Sequence, residues 1–263
     1  MAWKGNSLTL TFPDGYTTVI PMRRTRTFLA ILLAAAFLVP SCSEKVAKQK
    51  GLTDSDLFSR GQQKMQKKRL GPAIEHFQVL LERYPNSPLA PRAQLALADA
   101  YMGKRNYVEA EVSYEDFLRL YPANDNVPHA LFRKGELLFG QISKPGRDQT
   151  KTNEAIRTFN LLLAKFPSDR NAQAAAKRVE ELRNHLAKHE TQVISHYLAR
   201  GKYDSAEARA RRAVADYSDT AALPSLMSLL AEALEREGKK EDAAEVRENR
   251  LRESSSRSGD KGR

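Results

Sequence analysis

The chain has 263 residues, a formal net charge of +11, 41% hydrophobic residues and one cysteine. A single cysteine excludes an intramolecular disulfide framework. The basic residues are spread among acids along the chain, which speaks against a nucleic-acid partner. Ala and Leu are abundant and β-branched runs scarce, the composition of an all-α protein long enough to bury a core.

Residues 1–21 are largely polar and precede a better start at Met22. They read as a non-native extension from a mis-placed start and are set aside from the fold. Arg23, Arg24 and Arg26 then precede an uncharged apolar run, Phe28 to Leu38, too short to span a bilayer comfortably. That is the layout of a secretory signal peptide, 22–41. It ends Val39-Pro40-Ser41-Cys42, which resembles a bacterial lipobox, although Pro40 is unusual there. The resemblance implies that the Cys42 thiol carries a diacylglycerol and that Cys42 opens the mature chain. Ser43, in place of an aspartate, leans toward outer-membrane sorting. Residues 42–53 read as a lipidated tether, and removing 1–41 leaves a net charge of +8.

Beyond the tether the chain repeats itself. An aromatic–proline pair closes an apolar helix at Tyr84-Pro85, Tyr121-Pro122 and Phe166-Pro167, and a fourth, Tyr217-Ser218, lacks the proline. Twelve residues before each closing position stand Ala73, Ala110, Ala155 and Ala206; eight before stand Phe77, Tyr114, Phe159 and Ala210. A small residue followed four later by an aromatic marks the second helix of a tetratricopeptide repeat (TPR). Gly61 and Ala98 take the small position of the first helices. About eight extra residues around Pro145-Gly146 force a loop inside the third repeat. Past Pro167, Ser168 and Asp169 offer capping side chains and no breaker follows until Gly201, so one long helix is expected over 171–199. A last pair is expected at 223–237 and 241–253. Arg247 and Arg250 stand there on what would be the next interface, as a solvent-facing cap requires. The expected fold is an all-α solenoid of about five TPR helix pairs. An N-terminal lobe (54–170) is joined by the long helix to a C-terminal lobe (171–253), and a disordered tail follows from 254 to 263.

No catalytic constellation emerges, and no metal or cofactor is implied. His185 and His189 stand four apart on one helix, but Asn184 and Leu186 flank His185 where a zinc motif would place Glu. A surface role or a hydrogen-bonding role between helices is the better reading. A TPR array instead offers a groove lined by first-helix side chains, here Phe58, Gln62, Met65, Asp99, Met102, Phe132, Glu136 and Phe139, suited to an extended or amphipathic peptide.

Three further stretches carry a resemblance: Arg147-Asp148-Gln149-Thr150 in the inserted loop, Arg183-Asn184-His185-Leu186-Ala187-Lys188-His189-Glu190 on the long helix, and Tyr197-Leu198-Ala199-Arg200-Gly201-Lys202-Tyr203 after it. With the lipobox and the TPRs, they make residues 52–250 resemble the BamD (YfiO/ComL) family, outer-membrane lipoproteins of the β-barrel assembly machinery. The resemblance implies a non-catalytic scaffold, lipid-anchored at the periplasmic face of the outer membrane. It implies a C-terminal lobe that grips a POTRA domain of a BamA-type channel, with Arg209 at a contact position. It further implies an N-terminal lobe that recognises unfolded β-barrel proteins, and other lipoproteins as companions. Ala208, where the family pattern has Asn, and Ser218 depart from that pattern. The competing expectation is a periplasmic TPR lipoprotein that coordinates cell-wall synthesis or division enzymes.

Overall fold

The computed structural model describes the backbone of residues 2–4, 7–11, 17–21 and 51–260, with side chains over 51–253. Cys42, the signal segment and most of the tether lie outside the described residues. The chain divides into two units, Met1–Thr53 and Asp54–Arg263.

In the first unit, strands β1 (Ala2–Lys4), β2 (Ser7–Thr11) and β3 (Thr17–Pro21) form an antiparallel meander. Trp3 pairs with Leu8, and Leu8 with Ile20. This stretch had been set aside, yet its alternation of Leu and Thr and its Thr17-Thr18-Val19-Ile20 run are strand-forming.

The second unit is helical throughout its regular structure. Ten helices are described: α1 (Asp54–Gln66), α2 (Leu70–Arg83), α3 (Ala90–Gly103), α4 (Tyr107–Leu120), α5 (Val127–Phe139), α6 (Thr150–Lys165), α7 (Ala172–Ala199), α8 (Tyr203–Asp216), α9 (Leu223–Arg236) and α10 (Lys240–Asp260). They pair as five antiparallel hairpins, as the repeat spacing predicts. First helices also touch one another, α1 with α3, α3 with α5 and α7 with α9, so α1, α3 and α5 share one row.

The punctuation acts locally as expected. Pro91, Pro128 and Pro224 stand in the first turns of α3, α5 and α9, where a missing N–H costs nothing. Tyr84, Tyr121 and Phe166, each followed by proline, leave the helix with ψ of 56°, 55° and 59°. Tyr217, followed by Ser218, turns away less, at ψ 30°. The difference is the steric push of proline on its predecessor.

Packing follows the small–large rule. The Phe77, Tyr114 and Phe159 rings have no exposed surface. Phe77 lies where a side chain on Gly61 would sit: a Cβ there would be 2.5 Å from the ring. Gly135 is the matching residue of the third pair, with a Cβ falling 2.4 Å from Phe159. In the fourth pair the sizes are exchanged, and Ile194 on α7 shares a core with Ala210 on α8. One hydrophobic cluster runs from Leu95 to Leu182, and a second from Ala187 to Ala243. Both are built partly from α7, which at 28 residues is about 42 Å long. That helix is the join between the lobes.

Two expectations at the C-terminal end need correction or detail. The tail expected to be disordered from 254 instead continues α10 through Asp260. Once a helix is nucleated, each further residue adds a backbone hydrogen bond at little cost, so an apolar face is not required. Arg247 and Arg250 are held against α9, through Glu235 and the Ser228 hydroxyl respectively.

Candidate functional site

The eight groove candidates fall on α1, α3 and α5, the first-helix row, but several meet other parts of the protein. Phe58 is buried, its ring 6.0 Å from that of Phe77 and capped by the Arg92 guanidinium at 4.7 Å. Phe132 packs on Phe159 at 6.0 Å. Asp99 accepts hydrogen bonds from the Tyr114 hydroxyl (2.5 Å) and Arg133 Nε (3.1 Å), and His129 lies 3.6 Å away. Burial pushes the Asp99 carboxyl up, but His129, Tyr114 and the Arg133 charge outweigh it and hold it below the usual range. Burial, with Asp99 alongside, drives the Tyr114 hydroxyl far up. The Met102 sulfur lies 3.6 Å from that hydroxyl.

Glu136 and Phe139 are covered from α7. Arg178 makes a two-pronged bond to Glu136 (2.7 and 3.2 Å), reaches Glu181 at 2.8 Å and lies 4.2 Å over the Phe139 ring. Gln62 and Met65 remain half-buried on α1. Of the eight, only Phe58 is buried and the other seven are half-buried, while Asp99 and Glu136 hold α3 and α5 to their neighbours. Arg133 and Arg178, which close those contacts, carry no local signal in the sequence.

The sharper constellation is the α7 segment 183–190, in which Arg183, Asn184, His185, His189 and Glu190 reach other parts of the helical unit. Arg183 forks onto Asp219 (2.9 and 2.6 Å), donates to the Asp216 carbonyl (2.7 Å) and lies 5.7 Å over the Tyr217 ring. Asn184 Oδ1 accepts the Ala221 N–H at 2.8 Å. Together they clamp the α8–α9 turn. On another side of α7, His189 Nδ1 donates to the Pro145 carbonyl and His185 meets the Ser143 backbone. Burial is the main reason the His185 imidazole titrates below its usual value, and its Nε2 is buried without a partner.

The inserted loop is shaped to meet that surface. Buried Gln149 donates to the carbonyls of Lys144, Pro145 and Arg147 (3.1, 3.3 and 2.9 Å) and accepts from the Thr152 hydroxyl (2.8 Å). Asp148, just before α6, accepts the Thr150 N–H and hydroxyl. Gly146 lies so close to Gln192 that a Cβ would stand 2.9 Å from the amide oxygen. Two stretches distant in sequence are thus one junction.

Arg209 completes it. Its guanidinium forks onto Glu190 (2.7 and 3.0 Å), with a third of the Arg209 side chain exposed and Glu190 mostly buried. The hydrogen bond to Glu190 is the main cause holding the guanidinium pKa above its ordinary value. A shallow pocket beside them is lined by Arg212, Ala213, Asp216 and Tyr217. A guanidinium has five N–H donors, so the fork leaves others for an incoming carboxylate.

A protein-family model described as YfiO, outer membrane lipoprotein, matches residues 50–251. The chain belongs to the YfiO family. Relatives of this family include the outer membrane protein assembly factor BamD of Neisseria meningitidis (serogroup A, strain Z2491), 28% identical over 201 residues, covering 73% of this chain and 75% of the relative. The BamD of Xylella fastidiosa (strain 9a5c) is 27% identical over 232 residues, covering 84% and 80%. Among solved structures, a TPR protein from Parabacteroides merdae aligns over 74% of this chain and 78% of its own, at 17% identity and a TM-score of 0.39. The family match takes in every element from α1 to α9 and the junction on α7.

Proposed function

We propose that this chain is a non-catalytic scaffold of outer-membrane β-barrel assembly. In this reading an acyl chain on Cys42 holds it at the periplasmic face of the outer membrane. Its C-terminal lobe binds a POTRA domain of a BamA-type channel, and its N-terminal lobe receives unfolded β-barrel proteins, with other lipoproteins of the complex alongside. The observation that carries the reading is the family match across nearly the whole helical unit, supported by relatives named as assembly factors.

The geometry supports a division of labour. Around Arg209 a mostly satisfied, partly exposed guanidinium sits beside a polar pocket, the arrangement for a carboxylate-bearing partner surface. The first-helix row of the N-terminal lobe presents Gln62, Met65 and Met102, adaptable side chains for an extended segment.

The test is affinity purification of the lipidated protein from detergent-solubilised envelopes. The expected result is co-recovery of a BamA-type channel. Arg209→Glu should cut that recovery at least about tenfold, because a partly buried charge pair is replaced by a repulsion. A second variant, Glu190→Arg with Arg209→Glu, restores the internal pair and keeps the lobe folded, and should still lose the channel. Undiminished recovery from both variants rejects the Arg209 contact. Recovery of peptidoglycan enzymes without any channel rejects the assembly reading itself.

A further inference from the structure

The two edges of the N-terminal lobe differ in charge. Because successive helices run antiparallel, the connections inside each hairpin (α1–α2, α3–α4, α5–α6) emerge on one edge and those between hairpins on the other. The first edge carries Lys67, Lys68 and Arg69, then Lys104 and Arg105, then Lys144 and Arg147, all exposed. None of them forms an ion pair among the described residues. The acids beside them are Asp148, which accepts the Thr150 N–H, and Glu109 in the first turn of α4. The between-hairpin segments 84–89, 121–126 and 166–171 hold only Arg170 against Asp125 and Asp169.

Helix dipoles do not account for this. Cations do favour helix C-termini, and α1, α3 and α5 end on the basic edge. But α2, α4 and α6 end on the other edge with one basic residue apiece in the last turn, and that of α4, Arg119, is paired with Asp116.

Backbone conformation supplies a second, independent observation. Lys68 and Arg105 have φ of 55° and 65°, the left-handed region that penalises a side chain. Each stands five residues before the small alanine of its repeat, Ala73 or Ala110. In the C-terminal lobe the same position, five before Ala206 and Ala243, is glycine: Gly201 at 69° and Gly238 at 85°. The N-terminal lobe therefore keeps a cation where glycine would fit without strain, and strain of this kind concentrates at functional sites. Beside this edge, at the start of α4, Tyr107 and Val108 are 39% and 73% exposed.

We infer that this edge is a docking surface for an anionic phospholipid bilayer. Three basic turns set side by side, with neighbouring helix axes about 10 Å apart, present a row suited to a plane of headgroups. Next to them are an exposed tyrosine, a residue type that settles at the membrane interface, and an exposed valine. The inference goes beyond the assembly role and takes from it only the anchor. Residues 43–53 extend to about 36 Å, longer than α1 at about 20 Å. If Cys42 is acylated as read above, its lipid can thus enter the same bilayer.

The test uses the chain from residue 43 onward, made without the lipid; its helical unit from Asp54 is a compact unit with its own cores. It is mixed with phosphatidylcholine vesicles with or without about a third phosphatidylglycerol, and bound protein is measured by co-sedimentation. Binding is expected only with the anionic lipid, and it should fall steeply as salt rises from about 0.05 to 0.5 M. Lys68→Gly and Arg105→Gly should each weaken it about fivefold, and together about 25-fold. The same two variants should raise the melting temperature by about 2–4 °C each, because they relieve the left-handed strain. Lys165→Ala, on the other edge, should leave binding unchanged. The inference is overturned by equal binding to neutral vesicles, by glycine variants that bind like the parent, or by binding to polyglutamate with none to vesicles. Labelling Cys42 with radioactive palmitate in cells tests the anchor separately, so either result can fail without the other.

Discussion

The N-terminal lobe is stapled by rings and the C-terminal lobe by forks. In the first, Phe77 and Phe159 are buried against glycines, and Tyr114 is buried in the same cluster as Ala98. In the second, the ring position is Ala210, the large residue has moved to Ile194 on α7, and Arg183, Asn184 and Glu190 of that long helix hold α8 and its turn, Glu190 through Arg209. The repeat thus conserves a summed volume across each helix pair rather than a residue type at one position. Close packing sets that requirement. Where the ring is gone, polar bonds from α7 take up part of the task of fixing the angle between helices.

The hardest test of this contrast is to convert one lobe into the other. Phe159→Ala should destabilise the protein by about 3–5 kcal/mol, the usual cost of an emptied aromatic site. Adding Gly135→Ile, which imports the Ile194–Ala210 arrangement, should return at least about 1 kcal/mol in urea unfolding. A double variant less stable than Phe159→Ala alone would show that side-chain volume is not exchangeable across the pair. The forks should matter less for global stability. Arg183→Ala and Asn184→Ala should each cost about 1 kcal/mol, since Asp219 and the turn are exposed and solvent takes up part of the loss. Their signature should be local, as faster amide exchange over residues 217–222, with α4 and α6 unchanged.

The smallest expected effect concerns pH. Burial lowers the His185 pKa, so the folded protein holds it neutral while the unfolded chain takes up protons below pH 6.5. Its contribution is therefore complete above pH 6.5 and is lost as pH falls through the folded value. Amide protection in the 140–149 loop, corrected for the intrinsic pH dependence of exchange, should fall as pH is lowered from about 7.5 to 5, and His185→Gln should flatten that dependence. A loop equally protected at both pH values would remove His185 from the junction.

The repeats were legible because aromatic–proline pairs mark their ends and the small residues keep a fixed distance from them. Gly135 escaped because the inserted loop breaks that distance only in the third pair, although it stands 37 residues after Ala98, as Ala98 does after Gly61. The groove was half legible. Helical spacing places Asp99, Glu136 and Phe139 on the first-helix row, but it carries no trace of Arg133 and Arg178, which arrive from 34 and 42 residues away. Glu190 and Arg209 were each singled out without being joined, since their pairing depends on how α8 lies along α7. The end of α10 went astray for a related reason, because composition reports the missing apolar face and not the helix already started upstream.

The shared helix has a consequence for how this protein can vary. Leu182 belongs to one hydrophobic cluster and Ala187 to the other, and only helical residues lie between them. A helix turns by about 100° and advances 1.5 Å per residue. One residue added or removed between these two positions would swing one lobe around the other by more than a quarter turn. The number of residues in that short interval is therefore a phase, and the relative orientation of the two lobes is written into it as an integer.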